Sequence, residues 1–144
     1  MGYVDSNLLK DEQVVRRGVV HWGIFLPAMF LAVVGLLCMA GSTGFGVFVL
    51  FIALLVLSSE ASLRSTTEMA VTSKRVIMKR GWISRKTIEL NLNKIENLGI
   101  EQGLLGRLFN YGTVTVVGTG GTRETFKYVA EPIEFRKTVQ DLSH

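Results

Sequence analysis

The sequence predicts a membrane-anchored α+β chain: a two-helix transmembrane hairpin followed by a small bent sheet or partial barrel, with a C-terminal capping helix. Three observations predict it. Residues 18–59 form a run of 42 without one Asp, Glu, Lys or Arg, enough for roughly 60 Å of helix, or about twice the ~30 Å hydrocarbon core of a bilayer. After this run the pattern becomes short alternating segments separated by turn residues, as in an antiparallel sheet. Residues 132–142 then place Pro132 at a first helical turn and repeat Ile133, Phe135, Val139 and Leu142 among charged residues, the pattern of an amphipathic helix.

Composition sets the outer limits. The 144 residues suffice for one domain plus an anchor. They divide into an N-terminal arm (1–20), the hairpin (21–59) and a second, polar domain (60–144). With the single cysteine Cys38 and only His21 and His144, an intramolecular disulfide, a Cys-rich zinc site and a histidine cluster are excluded, so neither metal nor cofactor is expected.

Taking the elements in order, the arm holds Gln13-Val14-Val15-Arg16-Arg17, which suits either an edge strand or a loosely ordered segment on the membrane. The first crossing is drawn over 22–40, with a bend near Pro27, because Pro27 has no amide hydrogen to give the carbonyl of Gly23. Gly41-Ser42-Thr43-Gly44 makes an uncharged turn. The second crossing, 45–57, is short in its strictly apolar part, with Arg64 placed to snorkel. A cleavable signal peptide ending at Cys38-Met39-Ala40 is the competing reading of the first run. Lys10, Arg16 and Arg17 precede the first crossing, the other thirteen basic residues follow the second and none lies between them. Both termini are therefore expected on the cytoplasmic side.

Six strands are expected beyond the hairpin: 67–71, 75–80, 83–90, 96–102, 113–118 and 123–129. Turns are expected at Thr72-Ser73-Lys74, Gly81-Trp82 and Gly118-Thr119-Gly120-Gly121. The last resembles a phosphate-cradling loop only superficially, since a strand rather than a helix follows it. Residues 103–110 break the alternation, with Leu104, Leu105, Leu108 and Phe109 at helical spacing, and predict a short helix or compact loop.

Several segments in order carry a resemblance. They are Leu8-x-x-Asp11-Glu12-x-Val14, Val71-Thr72-Ser73-Lys74-Arg75-Val76-Ile77 with Gly81-Trp82-Ile83, and Leu90-x-x-x-Lys94-Ile95-Glu96-Asn97-Leu98. Gln102-x-x-x-Gly106-Arg107-Leu108-x-x-Tyr111-Gly112-Thr113-Val114 is the most distinctive, and Phe126-x-Tyr128-Val129-x-x-Pro132-x-x-Phe135 closes the series. On these the chain resembles the bacterial pleckstrin-homology-like (PH) domain family, in its small membrane-anchored type with two helices before the domain. Ser73 and Asn110 depart from the usual Asn and Gly, and both suit turns. The resemblance implies a PH-like split β-barrel of seven strands capped by a C-terminal helix, in a protein of the bacterial cytoplasmic (inner) membrane. It also implies a role in interaction or assembly without established catalytic residues.

Two groups of residues are candidates for function. Lys74, Arg75, Lys79, Arg80, Arg85 and Lys86 are six basic residues in thirteen with no acid among them, flanking one expected hairpin. They read either as contacts to anionic lipid headgroups or as an ordinary solvated face, Arg75, Lys79 and Ile77 on one side and Val76, Met78 and Arg80 on the other. Gly106, Arg107, Tyr111 and Gly112 form the motif loop. Here an arginine fork on loop carbonyls and a positive φ at Gly112 would fix the turn, with ligand contact as the alternative.

Nucleic acid is not an expected partner, because the net charge is only +4 and no stacking aromatics interleave the basic cluster. No spacing pairs a nucleophile with a base, so no enzyme is expected. The primary expectation is a membrane-anchored module binding a protein partner or assembling as a homo-oligomer. The alternative is a sensor of anionic membrane lipids through the basic hairpin.

Overall fold

The computed structural model describes residues 2–81 and 83–144. In chain order its elements are α1 (Tyr3–Ser6), β1 (Val14–Gly18), α2 (Leu26–Cys38), α3 (Thr43–Thr66), β2 (Glu68–Thr72), β3 (Arg75–Arg80) and β4 (Lys86–Asn91). There follow β5 (Ile95–Glu101), α4 (Leu104–Phe109), β6 (Tyr111–Gly118), β7 (Arg123–Ala130) and α5 (Pro132–Ser143). Trp82, expected in the turn after β3 and in the Gly81-Trp82-Ile83 segment, lies outside the described residues. Two compact units result: Trp22–Ser65, and Met1–His21 together with Thr66–His144.

The first unit is a helix pair. A single turn of 3-10 helix, Trp22–Phe25, precedes α2, and Pro27 stands in the first turn of α2, where its missing amide hydrogen costs no helical bond. The continuous first crossing expected over 22–40 is thus replaced by a 13-residue α-helix behind a separate turn. The second helix departs in the opposite sense. Ser58 to Thr66, although polar, continue it, so α3 reaches 24 residues and is the one helix among the described residues long and apolar enough by itself to cross a bilayer. Two transmembrane crossings are therefore not shown.

Small residues bring the pair together. Ala28, Gly35, Gly46 and Ala53 are its buried residues; a Cβ on Gly35 would stand 2.9 Å from Leu50, and one on Gly46 2.7 Å from the Met39 amide nitrogen. At the open end the Arg64 guanidinium lies 5.6 Å from the centroid of the Phe25 ring. The outward side chains are apolar and exposed, among them Phe30, Leu36, Leu37, Phe48 and Phe51.

The second unit is a sandwich of two antiparallel sheets, ordered β1-β2-β3-β4 and β5-β6-β7, rather than a closed barrel. The arm supplies the seventh strand: β1 pairs with β2, Gly18 opposite Met69. Beyond Gly18 the chain crosses to the other sheet, where the Ala130 amide donates to the Val19 carbonyl and the His21 amide to that of Tyr128. At the opposite corner β4 passes through one 3-10 turn, Leu92–Lys94, into β5. Helix α5 packs against β1, β5 and β6, burying Pro132, Phe135 and Val139. Gly18 has no side chain because a Cβ there would meet the Phe135 ring at 3.2 Å.

Sheet residues Met69, Val71, Val76 and Met78 alternate with a second buried set, Ala70 and Ile77, on the other face. In sequence the sides of this hairpin read either as lipid-contacting or as solvated. Instead the arm covers this second face: Val4 is 1% exposed against Ala70 and Ile77, with Tyr3, Leu8 and Val14 around it. β4 starts three residues later than expected, since Ile83, at 93% exposure, belongs to the turn rather than to a strand.

Candidate functional site

The motif loop is a built structure. β5 ends at Glu101, and the Gln102 side-chain amide donates to the carbonyls of Gly106 (3.3 Å) and Tyr111 (3.0 Å), tying the body of α4 and the start of β6 to one group. Asn110 closes the helix in the left-handed conformation, φ 58° and ψ 51°, which asparagine tolerates better than most residues. Gly106 and Gly112 are needed for close approach, since a Cβ would lie 2.6 Å from the Tyr111 carbonyl oxygen and 2.7 Å from that of Glu101, respectively.

Two expectations are corrected here. Gly112 does not have a positive φ; Asn110 carries that conformation instead. Arg107 does not brace the loop, because its side chain is exposed and the carbonyls are taken by Gln102. Gln102 stood in the motif, but nothing in its sequence neighbourhood distinguished it from an exposed glutamine. Tyr111 stacks on His21, with ring centroids 5.0 Å apart, and lies 5.7 Å from Tyr128. With Gly112, Glu101 and Lys127 these tyrosines line an open polar cavity of about 330 Å³.

What this loop displays is apolar. On α4, Leu104 is 88% exposed and Leu108 73%, with Leu105 and Phe109 also outward. The helical spacing foreseen for these four therefore serves a surface.

The six basic residues do not form one patch. Arg75 pairs with Asn91 and Arg80 with Lys86 across β3 and β4, so the two ends of the hairpin stand five residues, or about 17 Å, apart. At the first end Lys74 donates to the Lys10 carbonyl. Arg75 is withdrawn from the surface: it donates through Nε to Glu12 (2.9 Å), through Nη2 to Glu12 and the Asn7 carbonyl, and pairs through Nη1 with Glu89. Its proposed contact with a lipid headgroup is excluded by that burial.

Next to the second end, Lys79 lies 3.6 Å from Glu68 and over the Tyr3 ring. At the second end Lys86 pairs with Glu124 at 2.8 Å, while the side chains of Arg80 and Arg85 are exposed and have no ion-pair or hydrogen-bond partner among the described residues.

Glu12 stands in one of the segments that carry the resemblance, but sequence reasoning gave it no role. Its carboxylate is fully buried and also accepts from the Thr72 hydroxyl (2.6 Å) and the Leu9 amide (2.7 Å). Burial pushes the acid upward, but the hydrogen bonds from Arg75, Leu9 and Thr72 outweigh it and hold the group at about 2. The same pair raises Arg75, chiefly through its hydrogen bond to Glu12. This network fastens the arm to the sheet. Among the described residues no group of three His, Cys, Asp or Glu side chains is arranged to hold a metal ion.

Comparison with known proteins follows the same lines. The profile of the family described as "Bacterial PH domain" matches residues 23–143. No curated protein matches the chain. Among solved structures, a DUF1696 family protein with a pleckstrin-homology domain from Shewanella loihica PV-4 is similar at 10% identity and a TM-score of 0.51. The match covers 98% of this chain and 90% of that one, and at such identity it speaks for the fold alone.

Proposed function

The chain belongs to the bacterial PH domain family, and on that premise we propose that it is a non-catalytic membrane protein whose PH-like domain joins a protein partner or further copies of itself at the membrane surface. The observation that carries the reading is the outer edge of β4. β1 continues toward β7 and β5 runs beside α5, whereas β4 pairs with β3 alone among the described residues. An open strand edge offers its backbone groups to an added strand.

Anchoring is supported by three features. The outward surface of α2 and α3 is apolar, a composition suited to lipid. The strands that flank the helix pair in sequence, β1 and β2, are paired neighbours, so the chain must return to the side it left, which favours both helices crossing together. The 3-10 turn and α2 add to roughly 27 Å, near hydrocarbon thickness. On this reading both termini are cytoplasmic and the membrane is the inner one.

The test is cross-linking of a Thr87→Cys variant, made in a Cys38→Ser background, with the full chain in native membranes. A discrete homo-oligomer or one reproducible hetero-conjugate through position 87 is expected. Monomer alone, with monomer also in mild detergent, overturns the reading. A second reading, headgroup binding, now rests on Arg80 and Arg85 because they are exposed and unpaired among the described residues. Charge reversal at both would abolish salt-sensitive enrichment of anionic lipid around the purified protein.

A further inference from the structure

Helix α4 is the largest apolar display on the PH-like unit, and its cradle is too well built for a chance exposure. Gln102, Asn110, Gly106 and Gly112 all serve to hold six residues in place. Yet Leu104 and Leu108 keep most of their surface open, and Leu105 more than half of its own. Resting on the membrane reading above, we propose that α4 is an interfacial wedge: its leucines enter the acyl boundary of the bilayer that anchors the chain, and Arg107 meets anionic headgroups.

Two features select lipid as the occupant. The first is charge. The Arg107 side chain, exposed on the same short helix, has no partner among the described residues, and apolar side chains bordered by a cation are suited to an anionic interface. The second is chain continuity. Tyr111, one residue beyond the αL cap of α4, stacks on His21, and His21 is followed without a spacer by Trp22, where the helix pair begins. At the other junction α3 ends at Thr66 and β2 starts at Glu68. The end of α4 is thus linked, through the Tyr111–His21 stack, to the residue that immediately precedes the helix pair in the chain.

The experiment places an environment-sensitive fluorophore on the full chain in a Cys38→Ser background, reconstituted in vesicles containing anionic lipid, without spin label or with lipid spin-labelled either near the headgroup or deep in the acyl chain. Three sites are compared: Leu108→Cys, Phe51→Cys in α3 and Thr122→Cys in the turn after β6. The wedge predicts quenching by spin-labelled lipid at 108 and blue-shifted emission there, with little quenching at 122. It further predicts at least a threefold loss of the quenching at 108 when Leu104→Asn and Leu105→Asn are added, exposed positions at which folding is indifferent.

Quenching at 51 without quenching at 108 overturns the wedge and leaves the anchor standing. No quenching at 51 removes the anchor itself. Blue-shifted but unquenched emission at 108 assigns α4 to a protein partner or second copy and likewise overturns the proposal.

Discussion

Glu12 and Arg75 lie 63 residues apart, and each looked ordinary in sequence: one an acid in a polar arm, the other part of a basic run. Together they make a desolvated pair on which the attachment of the arm depends. Glu12→Leu leaves Arg75 with Glu89 and the Asn7 carbonyl only, and is expected to cost about 3 kcal/mol in denaturant unfolding of the full chain in mild detergent. Combining it with Arg75→Met should recover part of that loss. The acid titrates at 4.5 when unfolded and at about 2 when folded. Its contribution, roughly 3 kcal/mol, is therefore complete above pH 4.5 and disappears as pH falls toward 2. Unfolding midpoints followed through that window should drop more steeply for the native chain than for Glu12→Gln. No local pattern could have revealed the pair, since hydrophobic period and charge runs report neighbours along the chain, not across the sheet.

Elements were more legible than partners. The strands from β2 to β7, the helix α5 and the break at α4 follow from alternation, turn residues and helical spacing, with boundaries displaced by at most three residues and β3 placed without displacement. The helix pair is the exception, because apolarity does not set helix length. Helix ends depend on backbone bonding, so Pro27 shortened the first helix and polar serines extended the second. Two glycine substitutions test the packing of these elements. Gly112→Ala sets a Cβ against a backbone carbonyl and should destabilise the PH-like unit by about 1–3 kcal/mol in the same unfolding measurement. In the helix pair, Gly46→Ala pushes on Met39 and the Gly35 carbonyl, whereas a Cβ on Gly44 meets nothing within 4 Å. Thermal melting in detergent should therefore fall for the first and hold for the second.

For the whole molecule, pairing of β1 with β2 across the inserted helix pair is the controlling fact, because it ties both flanks to one side of any membrane the helices enter. A Ser42→Cys variant in the Cys38→Ser background should react with a membrane-impermeant maleimide from the face opposite to one carrying Cys at Thr122. Reaction of both from the same face would show the pair to be embedded without crossing. Composition and periodicity alone determined an uncharged stretch of membrane dimensions, a sheet domain behind it and a closing amphipathic helix, because these are properties of contiguous residues and their exposure. Tertiary structure decided that the arm becomes β1 and roofs the outer face of the sheet, that Arg75 turns inward, that Gln102 rather than Arg107 braces the motif loop, and that the leucines of α4 face outward. The Gln102 brace spans only four and nine residues, but the other outcomes depend on which surfaces meet, and those surfaces meet through contacts between residues tens of positions apart.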